Sequence, residues 1–132
     1  MAGSKSDWLE NKVLQMIFKS AWSFEQSVWV GLYTVAPTDA GGGTAATGTG
    51  YARIEVARST GWTLTGNTIT NTADVDFGTA GGSWGTVVAF GIFDALTAGN
   101  LLYWGDLTVS KTIQNGDPVK FPAGTGITIS ED

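Results

Sequence analysis

Apolar positions along the chain keep two different periods. Near the N-terminus Leu9, Val13, Met16 and Ile17 recur every three or four residues, and Leu14 and Phe18 widen the stripe. That is the spacing of an amphipathic α-helix with one side to bury. The pattern predicts a helix over 8–19, with Asp7 as its N-terminal cap and Glu10 three residues further on. The stripe is wide for so short a helix, so its apolar side can pack on its own sheet or dock on a neighbouring subunit.

From residue 27 onward strand-like alternation takes over. The segment "SVWVGLYTV" (27–35) alternates in part, and "YARIEVA" (51–57) sets Ile54 and Val56 on one face and Arg53 and Glu55 on the other. In 67–77, Val75 and Phe77 are predicted inward and Asp74 and Asp76 outward, while "GTVVAFGIFDA" (85–95) is nearly continuous in apolar residues, as a central strand would be. Segments 100–110, 118–121 and 126–130 complete a set of about seven strands. Turn formers separate them, as in "TGN" (65–67), "TAGGSWG" (79–85), "TAGN" (97–100) and "QNGDP" (114–118). The prediction is a mainly β fold: an antiparallel β-sandwich or barrel of about seven strands, with one N-terminal amphipathic α-helix. No tandem repeat or linker divides the 132 residues, which read as one domain with the helix at 8–19 and the β part at 27–130.

The stretch "TVAPTDAGGGTAATGTGYAR" (34–53) has the glycine spacing of a phosphate-cradling loop at Gly43 and Gly48. A phosphate loop also needs a lysine after the second glycine and then a helix. Thr49 stands in the lysine's place and a strand-like alternation follows, so the stretch reads as a long flexible connection between strands. Its length suggests reach toward a neighbouring subunit.

Composition narrows the chemistry. The chain has neither cysteine nor histidine, which excludes thiol nucleophiles, disulfides, Ser-His-Asp triads and imidazole or thiolate zinc sites. Seven Lys and Arg against twelve Asp and Glu give a net charge of −5 with no basic run, so no nucleic-acid partner is expected. Apolar runs are too short to span a bilayer, and the polar N-terminus "MAGSKSDWLENK" is unlike a signal peptide, so no membrane is expected and synthesis is placed in a cytoplasm. Only 14% of residues are charged, against about a quarter in a typical soluble domain, which suggests surface covered by a partner.

Asp74 and Asp76 share a strand face and could serve as catalytic carboxylates or calcium ligands, but with Val75 and Phe77 opposite they read as the wet side of an amphipathic strand. Asp94, Asp106 and Asp117 fall at or beside turns, where aspartate bonds the backbone. No catalytic residue, metal ligand or cofactor site is assigned. Among the six tryptophans, Trp29 and Trp104 lie within strands and Trp62 and Trp84 near turns, so the latter pair is expected to be exposed, for subunit contact or sugar stacking. The candidate interface is therefore Trp8, Leu9, Val13 and Ile17 on the helix, Gly41, Gly42, Gly43 and Thr44 in the loop, and Trp62 and Trp84.

The segments "DWLENKVL" (7–14), "VGLYTVAPTDAGGGT" (30–44), "GYAR" (50–53), "SWGTV" (83–87), "GIFDALTAGNLLYWGDL" (91–107) and "ITISED" (127–132) follow one another along the chain. Through them the chain resembles a family of small structural proteins of tailed bacteriophages and prophages, labelled tail-fibre-like or virion proteins. The resemblance covers nearly the whole chain, except 60–69, where no motif matches. It implies a virion component without enzymatic activity, made in the host bacterial cytoplasm and partnered by other virion proteins, and it brings no catalytic residues. Fibre shafts are built from extended repeats or heptads, and this chain has neither. A compact acidic module suits head decoration, cementing the capsid lattice as a homo-oligomer. A tail or tail-fibre-associated role is the alternative, and a carbohydrate- or receptor-binding module using Trp62 and Trp84 is the alternative from another class.

Overall fold

The computed structural model describes residues 4–20 and 27–131. It is mainly β, with eleven strands and one helix in the order β1 (Ser4–Lys5), α1 (Asp7–Phe18), β2 (Ser27–Val35), β3 (Thr44–Ala45), β4 (Ile54–Ala57), β5 (Trp62–Thr65), β6 (Thr68–Asn71), β7 (Val75–Thr79), β8 (Gly85–Phe93), β9 (Leu101–Ile113), β10 (Pro118–Phe121) and β11 (Thr128–Ser130). All strand pairs are antiparallel. A six-stranded sheet runs β1-β9-β8-β2-β3, with β4 also pairing β2; β10-β7 and β11-β6-β5 form two small sheets.

One face of the large sheet and the inner faces of the small ones share a core. Val30, Leu32, Phe90, Ile92 and Leu102 from the large sheet meet Val75, Phe77, Phe121 and Ile129 from the small ones. Edge-to-face contacts of Phe121 with Phe90 and Phe77, at 6.1 and 6.2 Å, join the layers. Asn71, fully buried at the end of β6, ties the small sheets together: Nδ2 donates to the carbonyls of Ala73 and Pro122 at 2.8 and 2.9 Å, and Oδ1 accepts from the Ile127 amide at 3.0 Å.

The large sheet's other face closes itself with aromatics. Gly31 and Gly91 are directly paired, and the rings of Tyr33 and Phe93 lie over the space where side chains would stand. The Arg53 guanidinium sits 3.5 Å from the Phe93 ring centroid and donates to the carbonyls of Ala95 and Ala98.

The structure departs from the sequence reading in several places. The segment 67–77 is two strands, β6 and β7, because the chain turns at 72–74, and Asp74 lies in that turn. Residues 60–65 supply β5, which pairs β6 across a two-residue Gly66-Asn67 turn with Gly66 at φ 60°. The helix cap is Ser6, one residue before Asp7: its Oγ accepts from the Leu9 amide, while the Asp7 amide donates to the Asp39 carbonyl at 2.8 Å. The stretch 34–53 is a folded connection. Thr38 and Gly41 close a tight turn, β3 returns along β2, Ala46 is buried, and the Trp84 Nε1 donates to the Thr49 carbonyl. No helix follows Gly48, so the aimed N–H groups of a phosphate loop are absent from this stretch.

Candidate functional site

Helix α1 is held at its N-terminal half and open beyond it. Leu9 is buried in the core, and Trp8 and Val13 pack against its margin. Asp39 braces this end: its Oδ1 accepts from Ser4 Oγ and Trp104 Nε1, at 3.0 and 2.9 Å. Farther along, Leu14, Ile17 and Phe18 are 57, 62 and 74% exposed, and Met16 is exposed as well. Residues 14, 17 and 18 share one helix face. The wide stripe read from the sequence therefore divides into an inward row through Leu9 and Val13 and an outward row that no described residue covers.

A second apolar feature is a cleft of about 450 Å³ between the β11-β6-β5 sheet and the large sheet. Ile129, Ile69 and Leu64 pair in register across the small sheet. Ile129 is buried, Ile69 half-buried and Leu64 68% exposed, so the small sheet overhangs what covers it. Trp62, half-buried, lines the same cleft, and its Nε1 is shut off from water with no hydrogen-bond partner among the described residues. At the rim Tyr103 donates to Glu131 at 3.0 Å, and Lys5 pairs with the other Glu131 oxygen at 2.8 Å. Burial, reinforced by the Glu131 carboxylate, pushes the Tyr103 phenol above its ordinary range.

The expected interface residues are thus dispersed. Ile17 is exposed and Trp8 and Val13 are half-buried, but Leu9 is a core residue. Trp84, expected at the surface, is 1% exposed. Its indole is inserted under the 48–51 turn, edge-on to Tyr51 at 5.3 Å, so a platform made of Trp62 and Trp84 is not available. Gly42, Gly43 and Thr44 are exposed and Gly41 is half-exposed, but Gly43 lies against the backbone of Val35 and Pro37, and Thr44 is tied into β3. Val35, Leu96 and Val109 are also exposed, but the α1 row and the cleft at Leu64 are where several apolar side chains meet at the surface. Sequence reading passed over Leu64, although Trp62 and Leu64 alternate with threonines before a Gly-Asn turn.

Asp74, Asp76, Asp94 and Asp117 each accept from a main-chain amide. Asp74 accepts from the Ala123 amide at 2.8 Å and pairs with Lys120 at 3.2 Å; the amide bond leads in holding its pKa below the ordinary value. Asp76 accepts from the Gly78 amide, Asp94 from Asn100 and Asp117 from Gln114. Asp106, expected beside a turn, is an exposed position on β9. Among the described residues no three carboxylates converge as a metal site would need.

No curated protein matches the chain. A family model described as Podophage GP4 fiber I protein gp80 matches residues 4–129, which takes in β1 through most of β11. The chain belongs to this family of phage fibre proteins.

Proposed function

We propose that the chain is a non-catalytic structural component of the virion's tail-fibre apparatus, docked on another virion protein through the outward row of α1. The observation that carries the reading is the cluster of Leu14, Ile17 and Phe18, held outward by a helix whose other side is anchored in the core. Membership in a fibre family supports a tail location over the head-decoration role that compactness and acidity had favoured. The absence of histidine and cysteine, and the engagement of the aspartates with main-chain amides, support a role without catalysis.

The test is quantitative gel analysis and immunogold labelling of purified virions, with wild type and Ile17→Asp/Phe18→Asp. A handful of copies at the tail, lost in the double variant while the free protein melts as wild type does, is the expected result. Hundreds of copies on the head would favour decoration, and absence from particles would overturn the reading.

A further inference from the structure

We infer that β5 is a docking edge that receives an extended, apolar segment of another virion chain as an added strand, with alternate side chains of that segment filling the cleft beside Trp62 and Leu64. The inference goes beyond the helix contact proposed above and rests only on the chain's being part of a virion.

Two observations converge on it. First, β5 is an edge of the β11-β6-β5 sheet. Thr65 pairs Thr68 across a two-residue turn and Thr63 pairs Thr70. In such a hairpin the pairs alternate, so the main-chain N–H and C=O groups of Trp62 and Leu64 point away from β6. Edges are ordinarily protected by lysine, proline or a bulge. Residues 62–71, "WTLTGNTITN", contain no charge and no proline, and β5 pairs β6 without a register shift.

Second, among the described residues the inner face beside this edge is left open. The ladder Ile129, Ile69, Leu64 runs from buried to 68% exposed, and the cleft beneath it is lined by Leu9, Val28, Ile92 and Leu102. An added strand would lie next to Leu64 and turn every second side chain into that space.

A peptide matches both features. A lipid chain or a glycan would leave the β5 edge unpaired. A second copy pairing β5 to β5 about a two-fold axis would set two half-open clefts side by side and fill neither.

The experiment compares deuterium exchange of residues 61–66 in the free protein and in purified virions, and counts copies per particle for Leu64→Asp and Trp62→Phe. In virions the β5 amides should exchange at least about tenfold more slowly than in the free protein. Leu64→Asp should reduce incorporation about tenfold or more, the scale of one leucine's burial. Trp62→Phe, which leaves a smaller ring on the cleft wall, should lower it less, by about threefold. A photo-cross-linker at position 64 should attach to an apolar segment of a different virion chain. Melting of each free variant within a few degrees of wild type separates docking from folding. If the chain is present in virions and β5 exchanges as in the free protein, or the cross-link joins two copies of this chain, the inference is wrong and the structural role stands. If the chain is absent from virions, both fail.

Discussion

Asn71 is the most exacting point in the fold, and its replacement tests how the small sheets are joined. The residue is fully buried, and its amide satisfies the Ile127 N–H and the carbonyls of Ala73 and Pro122. Asn71→Ala leaves all three without that partner. The Ile127 amide lies in the interior and counts in full, at about 2 kcal/mol, while the two carbonyls are partly accessible and recover water at about 0.5 kcal/mol each. The sum is about 3 kcal/mol, a large share of a typical domain's stability of about 5–15 kcal/mol, and equals a fall in Tm of about 10 °C. Asn71→Asp separates hydrogen bonding from volume. It keeps the acceptor for Ile127 but turns the second oxygen toward two carbonyls, so burial and repulsion raise its pKa above the unfolded value. A raised pKa gives stability that is present at low pH and lost as pH rises through the folded value. Relative to wild type at each pH, the Asp variant should therefore be less destabilised at pH 4 than at pH 7, and at pH 4 more stable than the Ala variant. Urea unfolding followed by tryptophan fluorescence gives these differences. A cost below about 1 kcal/mol for Asn71→Ala, or an Asp variant with no pH dependence beyond that of wild type, would refute the account.

Two further outcomes follow from the packing. Gly91→Ala places a Cβ 2.8 Å from Tyr33 Cε2 and 2.9 Å from Phe93 Cε1, so it should cost about 2 kcal/mol in denaturant unfolding, with Tyr33→Ala in the same chain recovering part of the loss. Tyr103, raised first by burial and then by Glu131, should be the last tyrosine to ionise in an ultraviolet titration. Its raised folded pKa means stability present below the unfolded phenol value of about 10 and lost above it, an alkaline limb that Tyr103→Phe should flatten.

Much of the architecture was legible because local pattern and tertiary role agree. The continuous apolar run of β8 lies in the middle of the large sheet, and the alternation of Val75 and Phe77 with Asp76 places the first two in the core. What could not be read depends on distant partners. The two-residue strands β1 and β3 exist only through their pairing with β9 and β2. Trp84 sits in a sequence of glycine and serine that signals a turn, yet the 48–51 segment folds over it from 35 residues away. Ser6 became the helix cap because pairing of β1 with β9 fixed where the chain enters α1, a constraint that Asp7 and Glu10 do not reveal.

The low charge of the chain pointed to a covered surface without saying which one. The two surfaces proposed for it are marked by contrasts within single elements. On α1 the apolar stripe exceeds what one sheet can cover, so Leu9 is buried while Phe18, nine positions later, is 74% exposed. Across the small sheet one ladder begins in the core at Ile129 and ends in the open at Leu64. In both cases the element is anchored first and uncovered second, which is the order a rigid docking surface requires: the anchored half fixes the geometry, so a partner need not spend binding energy on ordering it. The two surfaces also make separable demands. A helix face asks for an apolar groove or helix opposite it, whereas an unprotected strand edge asks for main-chain pairing in one register. Variants at Phe18 and Leu64 should therefore impair incorporation independently, and a double variant that loses no more than the worse single one would mean a single shared contact.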